Sequence, residues 1–297
     1  MDRIMFGDNQ FFGVNHMSEE KARAQAMKFK DTASIIRVLD DAYDAGIRTF
    51  MCTTHDQIGE VVDHVLQNPG RYEGFRFYPG MPYAHKYANA VSELGMVETI
   101  RQYAPGGVME TLVKGARSAL RKDVEQLMSM LVDAEMKRFA GASTPVILLQ
   151  NVVTDLLLGL NMTGLLRDFH QHVAQRHGAE AGYFTMNLPA LVTALKSVGV
   201  TNPIVCCNYN KIGFRMCGGI DAYDRVIQTE PVRLIAMSVL ASGAIPADEA
   251  IKWICERPQI ESIVFGASSR RNIEQTRDLI RKLDAKYAPP GTGAGKG

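Results

Sequence analysis

The chain predicts an α/β protein, a single (β/α)8 TIM barrel, on three observations. Short apolar runs alternate with amphipathic helical segments from end to end, with no linker between them. Eight such strand–helix units fit within 297 residues, the size that one barrel needs. The competing doubly wound open sheet would carry a Gly-rich phosphate loop after its first strand, and the stretch from Gly7 to Gly13, GDNQFFG, lacks the G-x-G-x-x-G spacing. The barrel is expected over residues 1–287, with an extra helical insertion at about 90–140 between strands 3 and 4. The Gly- and Pro-rich tail, 288–297, is expected to be disordered.

Residues Arg3 to Phe6 read as the first strand, and the segment from there to Lys30 is too polar to join the core. Asp31 and Thr32 cap a helix whose apolar positions Ile35, Ile36, Leu39, Ala42 and Tyr43 recur at three- and four-residue steps until Gly46. Ile47 to Cys52 is the second strand, followed by a helix from Gln57 to Leu66. Phe75 to Tyr78 is the third, ended by Pro79-Gly80. The insertion reads as two or more helices separated by Pro105-Gly106-Gly107, either a solvated face, a lid or a subunit contact. The alternation then resumes. Strands Val146 to Gln150, Tyr183 to Met186, Ile204 to Cys207, Arg233 to Met237 and Ile260 to Phe265 are each followed by a helix.

Composition narrows the function class. The formal net charge is +1, which points to neither nucleic acid nor an anionic membrane as partner. Apolar runs are too short to span a bilayer, and MDRIMFGDNQ lacks the apolar core of a signal peptide. The five cysteines are an odd count without C-x-x-C spacing, as expected of reduced cytoplasmic thiols.

The eighth unit carries the most specific local signal. Ile263, Val264 and Phe265 stop at Gly266, and Ala267-Ser268-Ser269 leads into a helix opened by Arg270, Arg271 and Asn272. A buried strand delivering an anion to a helix N-terminus has this form, because the free N–H groups, the helix dipole and forked arginines all favour phosphate. An ordinary helix start capped by Ser269 has the same form, so both readings stand.

Four stretches together resemble the aldo-keto reductases. Asp44-Ala45-Gly46-Ile47-Arg48-Thr49-Phe50 is similar to that family's DAGINFF. Tyr183 to Asn187, continuing through Pro203-Ile204-Val205 to Tyr209-Asn210, is similar to its IGVSNF and EYN blocks. Leu234 to Gly243 resembles its IAYSPLGSG, and the eighth-strand loop its IPGASSPEQLEEN. The resemblance implies a barrel with NADP(H) across its C-terminal mouth. Ser268, Ser269, Arg270, Arg271 and Asn272 would hold the adenosine phosphate, Asn187 would meet the nicotinamide carboxamide, and Met237 and Ser238 would border the ring.

The same resemblance implies an altered active site. Met51 stands where the family has its Asp, no Tyr lies between Met51 and Leu66, the third strand ends without the Lys, and the fourth ends Gln150-Asn151 rather than in His. Cys206 stands near the family's Gln, and Met237 replaces its stacking aromatic. A different proton donor is therefore expected.

Barrel chemistry sits on the loops after the strands. Those loops carry Asp8 and His16, then His55 and Asp56, then His85 and Lys86, with Gln150, Asn151, Asn187, Asn208 and Tyr209 following. His55 is the first candidate acid, with Asp56 or Asp8 to orient it and His85 as another. Three histidines on adjacent loops also admit a divalent metal, which the loose spacing does not favour, or mere scatter. Cys52 and Cys206 could approach the mouth; inert buried thiols are the alternative. The remaining four histidines, His64, His170, His172 and His177, are expected to face solvent.

The reading is thus a cytoplasmic NADP(H)-dependent oxidoreductase of small molecules with a non-standard proton donor. The alternatives are a non-redox lyase, isomerase or hydrolase on a phosphorylated or polar metabolite, and a catalytically silent binding subunit. Self-association through the 90–140 insertion is a further expectation.

Overall fold

The computed structural model describes residues 1–13, 19–82 and 117–285. Eight parallel strands close into a barrel in sequence order, β1 (Ile4–Gly7), β2 (Thr49–Thr53), β3 (Arg76–Met81), β4 (Val146–Leu149), β5 (Glu180–Thr185), β6 (Ile204–Asn208), β7 (Arg233–Met237) and β8 (Ile260–Phe265). The ring closes through Met5 opposite Val264. Around it lie α1 (Glu19–Lys28), α2 (Thr32–Asp44), α3 (Asp56–Gln67), α4 (Arg117–Met136), α5 (Asn151–Gly159), α6 (Gly164–His177), α7 (Leu188–Ser197), α8 (Gly219–Thr229), α9 (Ala247–Cys255) and α10 (Arg270–Leu283). None of the described helices is long and apolar enough to cross a membrane.

Three expectations change in contact with the structure. The third strand does not stop before Pro79. Cys52 pairs with Pro79 and Thr53 with Gly80, while the ladder to β4 begins only at Gly80, so the missing proline N–H interrupts little pairing. The polar stretch before Lys30 does feed the core. Phe11 and Phe29 are buried edge-to-face at 4.9 Å, and Phe11 also meets Phe6 and Phe50. An unexpected helix, α5, follows β4 directly. Of the 90–140 insertion, the described part is α4 with a 3-10 turn at Lys137–Phe139; the rest lies outside the described residues, as does the 288–297 tail.

The barrel interior is apolar in its middle and ionic at its base. Met5, Met51, Tyr78, Val146, Leu148, Ile204, Cys206, Ile235 and Val264 form the inner cluster. Gly182 makes room for it, since a Cβ there would lie 3.0 Å from Leu148 and 3.3 Å from Ile204. Below, where the strands begin, Arg233 pairs with Glu180 and Glu261, the N-terminal ammonium with Glu261, and Arg76 with Asp2. In barrels of this kind the chemistry lies at the opposite, C-terminal strand ends, where the loops gather.

Candidate active site at the C-terminal mouth

On the β1–β2 side, the chain turns sharply after Gly7. The Phe11 N–H donates to the Asp8 carbonyl at 2.8 Å, and that turn buries the Asp8 side chain. Its carboxylate accepts from the Thr53 N–H at 2.6 Å and the Thr53 hydroxyl at 2.7 Å, tying the end of β1 to the end of β2. Burial penalises the charged form more than these hydrogen bonds favour it, and the pKa is pushed up to about 6. A carboxyl group that exchanges its proton near neutrality, at a barrel's C-terminal end, is suited to acid–base work.

His55 stands two residues beyond β2, its ring stacked on Phe12 with centroids 4.2 Å apart. As the N-cap of α3, its Nδ1 accepts from the Gln57 N–H at 3.3 Å. Burial lowers its pKa, with Asp56 opposing and Arg138 adding to the effect. A neutral ring whose Nδ1 accepts carries its proton on Nε2. Asp56 is the first residue of α3, is largely exposed, and pairs with Arg138 at 2.6 Å, so its carboxylate is engaged with the turn after α4. His16 and His85 lie outside the described residues, so of the three loop histidines only His55 is placed.

The floor of the mouth is apolar and sulfur-rich. Met51 points into the barrel, and the Cys206 thiol donates to its sulfur at 3.8 Å. Burial raises the Cys52 and Cys206 thiols well above their usual range, which makes both inert at neutral pH. Cys52 faces the outer core rather than the mouth. Phe184 lies against Gly80, where a Cβ would sit 2.7 Å from its ring, and Met237 packs on the same inner cluster.

Asp155, which the sequence reading missed because α5 was missed, fixes the end of β5. It accepts from the Thr185 hydroxyl at 2.5 Å and the Met186 N–H at 3.0 Å. Asn187 donates its N–H to Thr185 Oγ1 at 2.8 Å, and its Oδ1 caps α7 through the Ala190 N–H at 3.2 Å. That leaves the Asn187 amide N–H2 as the group to offer a ligand. Tyr209 turns outward, fully buried, with its hydroxyl between Asp224 and Arg257. It is core rather than a mouth residue, because the first residue after β6 continues the inward–outward alternation.

The β7–β8 rim carries the strain. Ser238, Ala241 and Ser242 all have positive φ, at 54°, 46° and 57°, before Gly243 at 88°. Three non-glycine residues in the left-handed region within five positions cost of order 1 kcal/mol or more each, and strain of this kind gathers at active sites and ligand clamps. Beyond β8, Ser269 caps α10 by accepting from the Asn272 N–H at 3.4 Å, so the capping reading of this loop holds. Basic groups surround the same loop: Lys28 donates to the Ser268 carbonyl at 2.7 Å, Arg271 is exposed, and Arg270 pairs with Glu274 at 2.9 Å. Gln10 adds a buried Oε1 with no hydrogen-bond partner among the described residues, against Gly266. Hydroxyls, three cations and an orphaned acceptor beside them fit a phosphorylated ligand with donor groups of its own.

Comparison with solved structures then places the architecture. The chain matches a proposed aldo-keto reductase of Pseudomonas aeruginosa with a TM-score of 0.59 at 13% identity, over 95% of this chain and 90% of that one. The fold is that of the aldo-keto reductases. A thermostable aldo-keto reductase, Tm1743, solved with the inhibitor epalrestat, matches with a TM-score of 0.55 at 11% identity, over 96% of this chain and 95% of that one. A proposed 2,5-diketo-D-gluconic acid reductase B matches at 0.53 and 11%, over 99% and 90%. No family model matches the sequence, and no curated protein does. At such identities the aldo-keto reductase likeness is one of fold, and the residues at the mouth must carry any statement about chemistry.

Proposed function

We propose that this chain is a nicotinamide-dependent oxidoreductase acting on a small carbonyl or alcohol, with NADP(H) held along the β7–β8 rim. The observation that carries the reading is the rim itself, in which the left-handed residues Ser238, Ala241, Ser242 and Gly243 follow β7, while Ser268, Ser269 and Arg271, with Lys28 on the Ser268 carbonyl, follow the neighbouring β8. Met237 and the Asn187 amide would border the nicotinamide. Bound there, the cofactor would supply hydride exchange.

The rest falls to the chain's own side chains. Asp8 holds the proton to be given to the substrate oxygen on its carboxyl, and Thr53 fixes that group through both of its donors. His55, a neutral ring held by Phe12 and by the Gln57 N–H, stands beside the β2 end as a wall of the site. Phe184, Met51 and Cys206 form an apolar floor that excludes water. Fluorescence titration with NADPH and NADH tests the cofactor. Exchanging Arg270 and Arg271 together for Ala is expected to weaken NADPH by roughly 10-fold or more, since a charged hydrogen bond contributes about 1.5–3 kcal/mol. Absence of binding at millimolar cofactor would overturn the reading.

A second reading draws on Asp8. A carboxyl poised near neutrality beside a phosphate cradle also suits proton transfer on a phosphorylated metabolite with no redox step. Binding of inorganic phosphate in an Arg271-dependent manner, without nicotinamide binding, would select it.

A further inference from the structure

The strongest unassigned constellation lies on the barrel flank. Asp133 on α4 faces His172 and His177 on α6, and both imidazole Nε2 atoms lie 2.8 Å from the same carboxylate oxygen, Oδ1. The three atoms are all within 4.8 Å of one another. These histidines do not face solvent as the helical pattern suggested; their side chains are 21% and 14% exposed. Five residues apart, they would point in different directions on an uninterrupted helix. His177 is the last residue of α6, and Gly178 follows in the left-handed conformation with φ 61°. That helix end lets both rings turn to one point, 5.6 Å apart between centroids.

We propose that Asp133, His172 and His177 form a binding site for a divalent transition metal of the zinc type, which ties α4 to α6. Two imidazoles and a carboxylate are a donor set for zinc, whereas magnesium and calcium require more oxygen ligands. A tetrahedral ion with bonds of about 2.0–2.1 Å separates its ligand atoms by about 3.3 Å, so each Nε2–Oδ1 gap of 2.8 Å need open by only about half an ångström. The ion replaces the hydrogen bonds that now join the rings to Oδ1, and each imidazole then carries its proton on Nδ1. Arg176 approaches the other oxygen at 3.8 Å and is largely exposed, so it can swing away. His177 leads into β5, on the side of the barrel opposite the mouth, which makes the role structural. The site is independent of any nicotinamide chemistry.

The test uses the full chain, dialysed against a chelator and titrated with Zn2+ by calorimetry. One site is expected whose affinity falls at least about 100-fold in Asp133→Asn and in His177→Gln, because loss of a ligand costs more than the 10- to 100-fold typical of its supporting shell. Zinc at 100-fold excess over Kd should raise the melting temperature by roughly 5 °C in the parent and in neither variant. Other histidines could bind zinc, so Co2+ in place of Zn2+ reads the ligand set directly: its visible band must vanish in His172→Gln. If a variant melts early in chelator, the parent's cobalt spectrum and zinc edge still report the nitrogen–oxygen ligand set. Absence of heat up to about 1 mM zinc, a limit near 4 kcal/mol of binding energy, would sink the proposal. So would binding that the variants leave unchanged.

Discussion

Replacing Asp8 by Asn tests whether a carboxylate at the barrel mouth is held at the expense of stability. Its pKa rises from 3.8 to about 6 because burial disfavours the charge more than the two Thr53 hydrogen bonds favour it. The sign follows from proton uptake. Between pH 4 and 6 the folded chain holds a proton that the unfolded chain has lost, so stability falls as pH rises through that window and levels off above it. A rise of about two pH units, at 1.36 kcal/mol each, makes the loss about 3 kcal/mol. Asn is nearly isosteric and its Oδ1 can still accept from Thr53, so Asp8→Asn should match the parent near pH 4 and exceed it by roughly 2–3 kcal/mol at pH 7.5. Urea unfolding followed by circular dichroism from pH 4 to 8 reads the difference, in which all other titrating groups cancel. A difference that stays flat with pH, or a variant less stable than the parent at pH 7.5, would refute the reasoning. The same substitution should remove the limb of a reductase pH–rate profile that falls above about pH 6.

Three further outcomes follow from packing and charge. Gly80→Ala places a Cβ 2.7 Å from the Phe184 ring, so the ring must tilt; a cost of about 1–3 kcal/mol is expected, recovered largely in Gly80→Ala with Phe184→Leu, by thermal melts. Arg3 and Asp284 form a buried ion pair, with Arg3 also donating to the Ile260 carbonyl at 2.5 Å. Arg3→Met alone should cost about 3–5 kcal/mol and Arg3→Met with Asp284→Leu clearly less, in a double-mutant cycle. Cys217 is exposed and the other four thiols are buried, so a disulfide reagent should find one fast thiol in the folded chain and none in Cys217→Ser; a fast thiol remaining there would contradict the burial of Cys52, Cys206, Cys207 and Cys255 taken together.

The sequence by itself determined the barrel. Strand period, helix caps such as Asp31 and Ser269, and the order of strand–helix units are local signals, and each is read from residues within one turn or pleat of one another. The loop residues Asp8, Asn187, Ser268 and Arg271 were legible for the same reason, since in a barrel every residue just after a strand belongs to one end. What those residues do was not legible. Only the folded chain decides that Asp8 is buried against Thr53, that Asp56 is taken by Arg138, and that Tyr209 turns outward to Asp224 and Arg257. Asp133 stands 39 and 44 positions from the histidines it joins. Desolvation and pairing depend on which distant segments meet, and no local pattern of residues encodes those meetings.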